Sequence, residues 1–166
     1  MRCYVLMGVS GCGKSSVGKA VAKSCGMTFI DGDDLHPKTN IEKMASGQPL
    51  NDADRAPWLQ RVGEALAAAD GPAVIGCSAL KRAYRNIIRS AVPESVGFMH
   101  LDAPKSVLAK RVAAREHHFM PKALLDSQFE ALEPLQADET GTVIDISGDF
   151  ESVVVQAENY VKETLK

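Results

Sequence analysis

Little in this sequence points to an extracellular, membrane-embedded or fibrous protein. Of its 166 residues 5% are aromatic, one is tryptophan and four are cysteine. Cys3, Cys12, Cys25 and Cys77 form no CxxC pair and have no histidine at zinc-finger spacing. That pattern argues against a metal site or a disulfide framework and makes a reducing cytoplasm the expected compartment. No apolar run approaches the roughly 20 residues of a transmembrane helix, and the seven residues before Gly8 are too few for a secretion signal. Charge of neither sign dominates, with 19 Lys and Arg against 21 Asp and Glu and a net charge of -2. No nucleic acid and no membrane surface is therefore an expected partner, and an anionic ligand has to be met by a local basic site. There is no internal repeat or low-complexity linker, so residues 1–166 are expected to form a single domain.

What the chain does have is alternation. Arg2 to Met7 is a short apolar run ending in glycine, which reads as a buried strand. Lys14 to Cys25 places apolar residues near helical spacing, with Gly26 where a terminating glycine belongs. Further strands are predicted at Thr28–Asp31, Ala73–Cys77, Val96–Asp102 and Thr142–Ile146. Helices are predicted at Pro37–Ser46, Ala53–Ala69, Lys81–Ser90, Lys105–Glu116, Pro121–Leu132 and Phe150–Leu165. Apolar strands alternating with helices imply an α/β fold of three layers, a parallel sheet covered by helices on both faces.

Gly8-Val9-Ser10-Gly11-Cys12-Gly13-Lys14-Ser15 fits G-x-x-x-x-G-K-[ST] between a predicted strand and a predicted helix, the context a phosphate loop requires. Its glycines let backbone N–H groups wrap nucleotide phosphates, Lys14 reaches the outer phosphates, and the Ser15 hydroxyl suits magnesium, with Ser16 following in the first helical turn. ATP and Mg2+ are therefore the expected co-substrates. A switch GTPase would also carry an N-K-x-D segment, which is not found.

Asp33 follows the second strand at the carboxyl end of the sheet, where ligands of open α/β sheets bind, so it is the candidate base for an acceptor hydroxyl and a candidate for the magnesium shell through water. Asp34 reads as a cap for the helix starting near Pro37. His36 is placed either to cap or to bind substrate. Arg55, in a helix start rich in acids, is a candidate cleft residue, while Trp58 reads as core. Lys81, Arg85 and Arg89 recur at four-residue steps on one helix face that begins beside the cleft, so Lys81 and Arg85 are expected to bind an anionic substrate and Arg89 to lie at the surface. Arg111 and Arg115, within a segment of about 111–134 that looks like a helical lid, are expected to close over nucleotide and transferring phosphoryl. His117 and His118 are adjacent and do not share a helix face, which argues against a paired metal site.

These residues resemble a known family, the thermoresistant type of gluconate kinase, related to shikimate and adenylate kinases. The resemblance covers nearly the whole chain. It rests on Gly8 to Ser15, Gly32 to Pro37, Asn40 to Met44, Pro49 to Leu59, Cys77 to Lys81, His118 to Met120, Ser127 to Phe129 and Asp138-Glu139. It implies a five-stranded parallel sheet with a mobile lid, and transfer of the γ-phosphoryl group of ATP to the 6-hydroxyl of D-gluconate. It further implies a cytoplasmic homodimer. The residues alone leave other readings open, namely another small-molecule kinase of this fold acting on shikimate or a nucleoside monophosphate, or a non-enzymatic ATP-binding regulator.

Overall fold

The computed structural model describes residues 1–114 and 122–166. Five strands, β1 (Cys3–Met7), β2 (Thr28–Asp31), β3 (Ala73–Gly76), β4 (Val96–Asp102) and β5 (Gly141–Asp145), form one sheet in the order β2-β3-β1-β4-β5. Every pairing is parallel, with Cys3 opposite Ala73 on one side and Val96 on the other, and Phe98 opposite Gly141. Around the sheet lie α1 (Lys14–Cys25), α2 (Lys38–Ala45), α3 (Asp52–Ala68), α4 (Arg82–Ser90), α5 (Lys105–Ala113), α6 (Lys122–Ala131) and α7 (Phe150–Thr164). The expected three-layer α/β architecture is what the chain adopts. Among the described residues no helix is long and apolar enough to cross a membrane.

Period-two alternation explains the layers. On β1, Tyr4 and Leu6 face one cluster shared with Val17 and Val21 of α1 and Ala157 and Val161 of α7. Cys3, Val5 and Met7 face another, shared with Leu59, Val62 and Leu66 of α3 and Ile88 of α4. Successive side chains of a strand point to opposite faces, so a central strand covered on both sides is apolar at every position.

Two local departures from expectation matter for the site. Gly32–Leu35 forms a 3₁₀ turn, capped by the Asp31 carboxylate, which accepts from the Asp33 N–H at 3.0 Å. Gly32 is required there, since a Cβ would meet the Gly76 carbonyl oxygen at 2.3 Å. Asp34 caps nothing: α2 begins after Pro37 without a side-chain cap. Pro37 itself stands at the cap position, and its carbonyl accepts from the Asn40 and Ile41 N–H groups at 3.0 and 3.2 Å.

Candidate active site

Because all strands are parallel, the loops after β1, β2 and β3 gather at one edge of the sheet. The Gly8 N–H donates to the Ser78 carbonyl at 3.1 Å, tying the first of these loops to the third. Gly8, Gly11 and Gly13 take φ of 147°, 85° and 93°, values that L side chains rarely adopt, so the loop can curl its amides inward ahead of α1. No side chain caps α1 and its first turn has no acid, which leaves its N–H groups for an anion. Lys14 Nζ donates to the Gly8 and Val9 carbonyls at 3.0 and 3.1 Å, lying across its own loop. Ser15 and Ser16 are exposed at the helix start, and Val9 and Cys12 are buried.

The loop is also held from outside. The Ser10 N–H donates to Gln128 Oε1 at 2.7 Å, while Gln128 Nε2 donates to Ser10 Oγ at 3.0 Å. Gln128 sits on α6, whose Leu125 is buried in the core. Thus the described part of the segment expected to be a lid, beyond residue 121, is seated on the domain and on the phosphate loop. Arg115, His117 and His118 lie outside the described residues.

Beside the loop, a cavity of about 320 Å3 is lined by Gly11, Gly13, Ser16, Arg111, Ile146 and Phe150 among others. Arg111 donates to the Ile146 carbonyl and to the Gly148 carbonyl, the latter at 3.3 Å. The structure thereby brings Arg111 beside the phosphate loop. Ile146 and Phe150 complete the cavity without any signal in the sequence, since they look like strand end and helix start.

Asp33 keeps access to solvent, yet the protein around it pushes its carboxyl above the ordinary range, and the Asp31 carboxylate adds to that; Lys14 and His36 oppose the rise. Under it, Trp58 Nε1 donates to the Gly32 carbonyl at 2.8 Å, and the indole stacks on the His36 ring with centroids 4.1 Å apart. Trp58 is core, as expected, and it also supports the turn that carries Asp33. Burial lowers the His36 pKa, with Asp33 opposing and Arg55 adding to the fall.

Across the cleft edge, Arg55 and Lys81 each lie 5.6 Å from the centroid of the Tyr84 ring. The Tyr84 hydroxyl donates to Asp52 at 2.5 Å and accepts from Arg55 at 3.4 Å, and both cations lie 3.9 Å from the Asp52 carboxylate. Tyr84 and Asp52 escaped sequence reasoning, although Tyr84 follows Lys81 by three residues and Asp52 precedes Arg55 by three, spacings that bring side chains together at a helix start.

Arg85 requires a correction. Its side chain is fully buried, with Nε and Nη2 donating to Glu139 at 2.8 and 2.9 Å and Nη1 donating to the Ala79 and Leu80 carbonyls at 3.0 and 3.3 Å. None of its donors remains for a substrate. Arg89 is not a free surface group either, since it reaches the same carboxylate at 2.5 Å. α4 begins at Arg82, so Lys81 stands before the helix and turns to Tyr84 while the two arginines turn to Glu139. Arg85 therefore braces the loop that presents Lys81, including Ala79 at φ 44°.

A phosphate loop after the central strand, with a carboxylate just after β2 near its lysine and a cation from the start of α3 paired with one from the loop after β3, is how a P-loop kinase holds a phosphoryl donor against an acceptor. Residues 4–135 match the family model described as "AAA domain". The chain is 48% identical over 162 residues to the thermosensitive gluconokinase of Escherichia coli strain K12, covering 95% of this chain and 86% of that protein. It is 46% identical over 164 residues to the thermoresistant gluconokinase of the same organism, covering 96% and 93%. Among solved structures, a gluconokinase from Sinorhizobium meliloti 1021 superposes with a TM-score of 0.89 at 45% identity, covering 97% of this chain and 91% of that one. This chain belongs to the gluconokinase family.

Proposed function

We propose that the protein transfers the γ-phosphoryl group of ATP to the 6-hydroxyl of D-gluconate, giving 6-phospho-D-gluconate and ADP. The observation that carries this reading is the exposed Asp33 carboxylate, near enough to Lys14 and His36 to feel both charges, with Arg55 acting in turn on His36 and paired with Lys81 around Tyr84. A carboxyl held above its ordinary pKa is the better proton acceptor. Asp33 takes the hydroxyl proton as that oxygen attacks phosphorus and ADP departs. Lys14 and the loop amides stabilise the charge that builds on the phosphoryl oxygens, and Arg115, on its sequence position, adds to them. Arg55 and Lys81 bind the gluconate carboxylate, and His36 binds a substrate oxygen. The cavity beside the loop takes the adenine, with Arg111 as one wall.

The residues present fit magnesium. Ser15 offers an exposed hydroxyl beside Lys14, and Asp33 with Asp31 supplies negative charge that nearby cations only partly offset. Magnesium keeps several waters and takes few protein ligands, so one hydroxyl and one carboxylate suffice. When bound it neutralises phosphate charge; Ser15 would hold it directly and Asp33 through water.

The shikimate and nucleoside monophosphate alternatives are not favoured, because the relatives at 46–48% identity are named gluconokinases over nearly the full chain. A coupled ADP-release assay against gluconate, shikimate, other sugar acids and nucleoside monophosphates tests the proposal. Gluconate should be turned over far faster than the rest; equal or lower turnover would sink it.

A further inference from the structure

Asn40 of α2 is 3% exposed and, although it opens one of the segments that carry the family resemblance, the sequence gives it no chemical role. Its amide nitrogen donates to the Asp54 carbonyl at 2.9 Å and lies 3.3 Å from Nδ1 of His36. A carbonyl oxygen only accepts, so the amide cannot be turned the other way round without setting oxygen against oxygen. The group facing Nδ1 is therefore an NH2, which only donates, and Nδ1 has to be the acceptor. A neutral imidazole accepting at Nδ1 carries its proton on Nε2.

Asp54 is itself fixed. Its N–H donates to Asn51 Oδ1 at 2.8 Å, and its carboxylate accepts from the Asn51 N–H at 2.9 Å and from Lys43 at 2.5 Å. Trp58 holds the plane of the His36 ring by stacking at an interplanar angle of 17°. Plane and edge are thus both determined, and Nε2 has no partner among the described residues.

We propose that Asn40 is a positioning residue that locks His36 in the Nε2–H tautomer, so that the ring offers the substrate one hydrogen-bond donor and no acceptor. This rests on the reading of His36 as a gluconate ligand. Its consequence is a division of labour: His36 reads an oxygen lone pair on the sugar acid and cannot compete with Asp33 for the hydroxyl proton.

Long-range 1H–15N NMR of the full-length protein, at a pH where imidazoles are neutral, reads the tautomer directly. In the wild type His36 should show a protonated Nε2 and an unprotonated Nδ1. In Asn40→Asp the carboxylate accepts where the amide donated, so the proton should move to Nδ1. The KM for gluconate should then rise about tenfold, the value of one hydrogen bond of 1.4 kcal/mol, with the KM for ATP nearly unchanged. Asn40→Gln, which keeps the donor, should restore part of the loss. An Nδ1–H ring in the wild type overturns the inference and leaves the proposed function standing; this spectrum needs no variant, so it decides even if Asn40→Asp folds poorly. A flipped tautomer with unchanged gluconate KM overturns the substrate half of the inference. Wild-type protein that does not phosphorylate gluconate overturns the proposed function, while the spectrum still decides the role of Asn40.

Discussion

Two basic residues that look alike in sequence, Lys81 and Arg85, separate sharply in the structure. Lys81 stands at the cleft with a side chain 35% exposed, whereas the Arg85 side chain is 0% exposed and its partner Glu139 only 1%. Lys81→Ala should raise the gluconate KM about tenfold or more, the scale of a charge-assisted hydrogen bond, with little change in melting temperature. Arg85→Met should do the reverse, costing about 2–3 kcal/mol of stability because the buried Glu139 carboxylate loses its bidentate partner and keeps only Arg89 and the Gln136 N–H. Kinetics and thermal unfolding on the two variants check the contrast, and a stable Arg85→Met protein with raised gluconate KM would refute it. Asp33→Asn should keep ATP binding while kcat falls roughly 100-fold or more, the usual size of a lost general base; nucleotide titration beside turnover measures this.

Among the elements, the sequence made the strands plain, since β2 and β4 have the predicted bounds, β1 and β3 are one residue shorter at an end, and β5 is shifted by one residue at both ends. Short apolar runs punctuated by glycine leave little choice to a chain that must bury them. The direction in which a helix face turns is another matter. A four-residue step shows that Arg85 and Arg89 share a face, but what that face meets is Glu139, 54 and 50 residues further on, and nothing local encodes it. The placement of Asp33 and Lys81 just beyond β2 and β3 was legible because strand ends are; the 3₁₀ turn, Tyr84 and the hold of Gln128 on Ser10 depend on packing between distant segments. That hold has a measurable consequence. Gln128→Ala should loosen the phosphate loop and raise the KM for ATP by up to about 30-fold, with gluconate KM little changed, as expected when two neutral hydrogen bonds of about 1 kcal/mol each are lost. Equal ATP KM in mutant and wild type would show that the loop holds its shape without α6.

For the molecule as a whole, pH acts through the half-buried His36 and the buried side chains of His100 and Glu139. Burial lowers the pKa of His36 and of His100 below 6.5 in the folded state; His100 is buried on β4, with Nδ1 lacking a partner among the described residues. The unfolded chain binds these protons first, so the stability both contribute is present above 6.5 and is lost as pH falls from there toward their folded values. Glu139 behaves differently: burial alone would raise its pKa, but hydrogen bonds from Arg85, Gln136 and Arg89 hold it at about 2. Its contribution is present above 4.5 and is lost as pH falls through about 2. Denaturant midpoints against pH should therefore decline in two stages, and His100→Gln should flatten the first while leaving the second. A single decline near 4.5 in both proteins would contradict this.

Trp58, which supports the turn carrying Asp33 and stacks on His36, is the only tryptophan in the chain. Nearly all the ultraviolet-excited emission of the molecule beyond the tyrosine band therefore originates within 4.1 Å of a proposed substrate ligand. An imidazole against an indole is a quencher whose strength depends on their separation and hydration, so a sugar acid settling on His36 should change the emission intensity or wavelength without any dye. Titrating gluconate into the protein without nucleotide then reads occupancy optically and apart from turnover, and the same signal in Asn40→Asp would follow how tightly the acid is held once the imidazole proton has moved.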